Sequence, residues 1–67
     1  MKVASLILIA LLVGDCIQLT KGIFKGQYWR ITAINDNGTF DIKDRDWVLR
    51  EVPGRFLIPA NHSLCLE

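Results

Sequence analysis

The tetrapeptide Asn35-Asp36-Asn37-Gly38 constrains this chain more than any other stretch of it. It stands between two runs that alternate polar and apolar residues, Gln27 to Asn35 and Thr39 to Asp44. Asn-Gly between such runs is a preferred composition for a tight hairpin, because both residues tolerate left-handed backbone. The expectation is therefore two antiparallel strands joined at this point. In the first, Trp29, Ile31 and Ala33 share one face and Tyr28, Arg30 and Thr32 the other, the period of a half-buried strand. Ile34 breaks the alternation, which marks a bulge near the strand's end. In the second, Phe40 and Ile42 point inward, with Asp41 and Lys43 outward.

The rest of the chain reads as more of the same architecture. Cys16 to Thr20 is a short strand, and Lys21 to Gly26 is a glycine-bracketed loop that folds back so that Phe24 plugs one end of the core. Lys43-Asp44-Arg45-Asp46 is a polar turn. Trp47 to Val52 is a strand that stops at Pro53-Gly54, since proline has no N–H for the ladder. Arg55 to Ile58 is a short extended piece, Pro59 to His62 a single helical turn, and Ser63 to Leu66 a last strand. Trp29 and Trp47 both read as core. Short strands with turn signals about every eight to ten residues argue for a small all-β barrel or sandwich.

With 67 residues there is room for one domain. A core this small rarely supplies more than about 3–5 kcal/mol without a disulfide, a metal or a partner. Eight Lys and Arg against seven Asp and Glu give a net charge of +1, which does not mark a nucleic-acid binder. The apolar content is concentrated at the start. Met1-Lys2 precedes an uncharged run from Val3 to Val13, matching the basic and apolar parts of a secretory signal. A spanning helix needs roughly 17–25 apolar residues, so the run is short for that purpose. The division is a helical signal or membrane-anchor segment over residues 1–13 and the β domain over 14–67. The competing reading packs the run into the domain as its own first strand or helix. Leu12-Val13-Gly14-Asp15-Cys16 also resembles the lipobox of bacterial lipoproteins, although Asp15 stands where that pattern has a small residue.

Gly14-Asp15-x-Ile17-x-Leu19, followed by Gly22-x-Phe24-Lys25-Gly26 and Ile31, resembles the KOW motif of SH3-like small barrels, found in ribosomal proteins and transcription elongation factors. The likeness covers residues 14 to about 60. It implies an SH3-like barrel of about five strands. Where the motif carries a further glycine, in the part that touches RNA, this chain has Trp29, which weakens the implied nucleic-acid contact. Phe56-Leu57-Ile58-Pro59 is faintly similar to a pore-lining strand of plasmid-type dihydrofolate reductases, with Phe56 and Ile58 replacing that strand's polar residues. In SH3-like barrels the first and last strands are neighbours, and Cys16 and Cys65 fall on those strands. The resemblance thus implies a Cys16–Cys65 disulfide if the protein is exported, and two free thiols if it is cytosolic.

Residues able to carry reaction chemistry are sparse. His62 is the only histidine, and the spacing supplies no nucleophile or orienting carboxylate. Asp36, Asp41, Asp44 and Asp46 lack the spacing and closing glutamate of a calcium loop. The expectation is no catalytic residue, no metal and no cofactor. A binding surface is expected near Lys25, Tyr28, Arg30, Lys43 and Arg45, where aromatic and cationic groups together suit stacking and anion contact. The chain thus reads as a non-catalytic binding module, membrane-associated or exported, whose partner is a protein or an envelope component, with membrane contact through residues 3–13. The alternative is a cytosolic KOW-like module contacting RNA, DNA or the ribosome.

Overall fold

Five antiparallel strands form one sheet in the computed structural model, which describes residues 11–65. Most of the expected signal or anchor segment (1–13) lies outside the described residues, as does the end of the strand expected over Ser63 to Leu66. No helix among the described residues is long and apolar enough to cross a membrane. The strands are β1 (Cys16–Leu19), β2 (Tyr28–Ile34), β3 (Thr39–Asp44), β4 (Trp47–Pro53) and β5 (Leu57–Pro59), and their order is β4-β3-β2-β1-β5.

Up to Pro53 the strands match the sequence reading to within one residue at each end. Beyond it the reading needs correction. Gly54–Phe56 is a 3₁₀ turn, so Arg55 and Phe56 are not extended and β5 begins at Leu57. The helical turn expected over Pro59 to His62 forms later, at His62–Leu64. Pro59 is held in β5 opposite Ile17, and Asn61 opens the turn by accepting a hydrogen bond from the Ser63 N–H at 3.0 Å. Ser63 to Cys65 therefore belong to a turn and its exit.

The hairpin also differs in detail. Gly38 takes the left-handed conformation (φ 83), but Asn37 does not. The Gly38 N–H donates to the Asn35 carbonyl at 3.2 Å and the Asn35 N–H to the Thr39 carbonyl at 2.8 Å. This is a three-residue loop closed by glycine, the next commonest hairpin after the two-residue turn. Asn37 is used through its side chain instead, whose Oδ1 accepts from the Thr39 N–H and hydroxyl.

The core follows the pleat. Ile17 lies opposite Trp29, and Ile31 opposite Ile42, itself opposite Leu49. Ile17, Leu19, Trp29, Ile31, Ile42, Val52 and Leu57 are buried together, with Leu11, Phe24, Phe40, Leu49 and Phe56 packed against them. Trp47 is the exception to the sequence reading, being 62% exposed. It has the inward parity of Leu49 but pairs with Asp44, beyond the Ile42–Leu49 pair where the sheet outruns the core. The ring it meets there is Phe24, at 5.8 Å between centroids.

Asp41 sits where both of its neighbouring strands carry an irregularity. The β2–β3 register shifts between Ile31 and Ala33, two residues before the break at Ile34 that pointed to a bulge. The β3–β4 register shifts between Phe40 and Ile42, where Glu51 is left-handed (φ 53). A bulge frees an N–H from the ladder. The Asp41 carboxylate takes it, with Oδ1 accepting from the Glu51 N–H at 2.9 Å and from Asn35 Nδ2 at 3.0 Å. The Thr32 hydroxyl donates to the Asp41 carbonyl at 3.2 Å. The Glu51 N–H, then Asn35, then the nearby Arg50 charge hold the Asp41 carboxyl below the usual aspartate value, outweighing a small opposing effect of desolvation. Asp41 is outward-facing, as expected, and its carboxylate holds the β4 bulge at Glu51 while its carbonyl meets Thr32 at the β2 irregularity.

Candidate functional site: an open groove and a closed seam

Two ends of β1 lead to two different environments. At its C-terminal end the chain leaves Leu19 and enters the Lys21–Gly26 loop. The Thr20 N–H and hydroxyl both donate to the Phe56 carbonyl, at 2.9 and 3.0 Å, which sets the loop against the 3₁₀ turn. The Gly26 N–H returns to the Leu19 carbonyl at 2.8 Å and closes the loop's base. Phe24 folds back to meet Trp29 edge-on, with centroids 5.4 Å apart. That is the plugging position expected of it.

Between this loop, β4 and the 3₁₀ turn lies a groove of about 390 Å³. Leu19, Phe24, Leu49, Val52, Pro53 and Phe56 supply its apolar lining. Ile23, at the loop tip, borders it and is 91% exposed. Lys21, Arg50 and Glu51 line it as well. Lys21 Nζ lies 5.9 Å from the centroid of the Phe56 ring, and the Arg55 guanidinium 5.2 Å. Two cations thus share one ring at the edge of the groove. Among the described residues, neither they nor Arg50 form an ion pair. Trp47, also exposed, meets the groove-lining Phe24 from the start of β4.

At the other end of β1 the polar groups satisfy one another. Cys16 and Cys65 form a disulfide with Cα atoms 5.8 Å apart, and Cys16 is 2% exposed. Cys65 does not reach it from a strand, since β5 is the neighbour of β1 and Cys65 follows the His62–Leu64 turn. A sulfur in a disulfide has no thiol for the lipid that the lipobox likeness implies. Arg30 Nη1 donates to the Gly14 carbonyl at 2.8 Å, and Nη2 to the Cys65 carbonyl. The Cys65 sulfur lies 3.2 Å from the Trp29 carbonyl oxygen. His62 Nε2 lies 3.7 Å from an oxygen of Asp15, whose other oxygen accepts from the Leu12 N–H at 2.8 Å. Spacing alone did not pair these two residues, which are brought together by the turn that carries His62.

Of the five residues expected to form a binding surface, Tyr28, Arg30 and Lys43 share one face of the sheet, and Lys25 and Arg45 lie in loops. Lys25 is exposed on the loop, beside the groove-lining Phe24. Arg30 and Lys43 are opposite one another on β2 and β3, with Tyr28 two residues along the same face. The guanidinium of Arg30 is already engaged by two carbonyls. Arg45 lies in the β3–β4 turn with left-handed backbone (φ 55). Sequence reasoning did not find the groove because its lining comes from the loop, β4 and the 3₁₀ turn, which only the fold brings together. The available signal was the apolar Ile23-Phe24 pair between two glycines.

The indole N–H of Trp29 is buried without a hydrogen-bond partner. Among the described residues no three His, Cys, Asp or Glu side chains stand close enough to hold a metal ion. Set against known proteins, the chain matches no family model, no curated protein and no solved structure.

Proposed function

We propose that this chain is a small SH3-like barrel acting as a non-catalytic binding module, exported or membrane-associated, whose partner is a protein or an envelope component. The observation that carries this reading is the open apolar groove at the loop end of the sheet. A domain of this size needs its apolar residues for its own core. Here Ile23 remains exposed at the groove's border and Trp47 beside the groove-lining Phe24, and an exposed apolar patch is a usual mark of an interaction site.

The strand order, with β1 between β2 and β5 and a 3₁₀ turn between β4 and β5, supports the barrel reading. The Cys16–Cys65 disulfide supports an oxidising compartment, since such bonds persist outside the cytosol. A second reading, a cytosolic KOW-like module touching nucleic acid, draws on Trp47. Its exposed indole beside Phe24 could stack on a base.

Fractionation of the native cell, combined with alkylation of thiols before and after reduction, tests the first reading. The expected result is recovery with membranes or outside the cytosol, with no alkylatable thiol until reduction. Recovery wholly in the soluble cytosol with two free thiols would overturn it. Salt-dependent quenching of tryptophan fluorescence by a single-stranded oligonucleotide would favour the second reading.

A further inference from the structure

We infer that the groove takes an extended, acidic–apolar peptide segment, whose apolar side chains enter the cleft and whose carboxylates meet Lys21, Arg50 and Arg55. This rests on the binding-module reading and names the chemistry of the partner. Three observations carry it.

The first is charge. Lys21 and Arg50 line the groove, and Arg55 shares the Phe56 ring with Lys21. Glu51 is the one acid in the lining. Asp44 and Asp46, the nearest other acids along β4's leading turn, do not line it. Two cations against one carboxylate in the lining, with Arg55 beside Lys21 at the Phe56 ring and no ion pair for these cations among the described residues, leave a positive rim on an apolar cleft. Like charges gathered at one end of the cleft favour an anion there.

The second is shape. Five successive residues of β4, Leu49 to Pro53, border the cleft. The bulge at left-handed Glu51 breaks the strand's alternation and brings neighbouring residues of β4 to the cleft together. β4 is an edge strand, hydrogen-bonded to β3 alone. An extended peptide laid along such an edge pairs its backbone with the strand and drops alternate side chains into the pocket.

The third is what the cleft does not offer. Aliphatic side chains outnumber rings in its apolar lining, with Leu19, Ile23, Leu49 and Val52 against Phe24 and Phe56, and they form no row of open ring faces for bases. It is concave, whereas a bilayer surface needs a convex or flat apolar face.

The test uses the oxidised full chain, isotope-labelled, and three synthetic eight-residue peptides. All carry Leu and Phe at alternate positions; the intervening residues are Glu, Gln or Lys. The Glu peptide is expected to bind about tenfold more tightly than the Lys peptide at low salt, from three exposed charge contacts. The ratio should shrink with added salt, and backbone amide shifts should centre on Lys21 to Phe24 and Leu49 to Phe56. Arg50→Glu, which removes a groove cation outside the Phe56 stack, should erase the preference, and Lys21→Glu with Arg55→Glu should invert it. If the Gln peptide binds the groove as well as the Glu peptide, the acidic chemistry is wrong while the binding-module reading stands. If no peptide perturbs the groove, the peptide assignment falls, while the binding-module reading is decided separately by fractionation and thiol alkylation. Tighter binding at the same residues by phosphatidylglycerol vesicles or by an oligothymidylate would overturn the peptide assignment.

Discussion

The two ends of β1 differ in how fully they are self-satisfied. At the Cys16 end, a disulfide, a two-pronged arginine and a capped turn tie the C-terminal segment to the sheet. At the Leu19 end, an apolar cleft faces solvent and its cations are without ion pairs among the described residues. The difference teaches how so small a domain can leave apolar surface open. The seam supplies stability that a larger core would otherwise provide, which frees Ile23 and Trp47 from packing duty.

The comparison breaks most severely if the seam is removed. Cys16→Ala with Cys65→Ala opens a link spanning 49 residues. On the loop-entropy model this costs about 4 kcal/mol, close to the whole margin of a domain this size. Urea denaturation of the double variant should show a largely unfolded chain at 37 °C; near-native stability would mean that the seam does not brace the fold.

Arg30→Ala comes next. It strands the Gly14 and Cys65 carbonyls and should cost about 2 kcal/mol, the range for hydrogen bonds to a charged donor. In the background lacking the disulfide the loss should be smaller, because both devices hold the same segment. Full additivity would show that they act independently.

Asp41 lies apart from both ends and serves as a reference. Its carboxyl titrates below the ordinary aspartate value, so its contribution is complete above that value and is lost as pH falls through the lower native one. Midpoints of urea unfolding followed down through this window should fall more steeply for the wild type than for Asp41→Asn. Parallel curves would mean that the bulges do not depend on the charge.

Arg45→Gly should raise stability by about 1 kcal/mol, since it relieves left-handed backbone at a non-glycine residue. The smallest effect belongs to the open end. Ile23→Ser should change stability by less than about 0.5 kcal/mol while weakening groove binding, because the side chain is almost wholly exposed. A large loss of stability would place Ile23 in the closed class and erase the contrast.

Much of the fold was legible from local chemistry. Alternation located β1 to β4 to within a residue at each end, and Asn35 to Gly38 located the hairpin between β2 and β3. These are near-neighbour effects, set by pleat and turn stereochemistry. Legibility failed after Pro53, where a proline-glycine pair opened a 3₁₀ turn and not an extended segment. It failed at Trp47 too. Parity says which face a residue joins, but not how far the core beneath that face extends.

By itself, then, the sequence determined the all-β class, the first four strands, the hairpin position and the inward residues from Trp29 to Ile42. Only the tertiary structure decided which side chains are committed and which remain free. Arg30, a binding candidate by type, is held by two carbonyls that lie 16 and 35 residues away. The groove is made of segments separated by the whole of β2 and β3. Contacts at such separations depend on strand order and register, and no local pattern of residues encodes these.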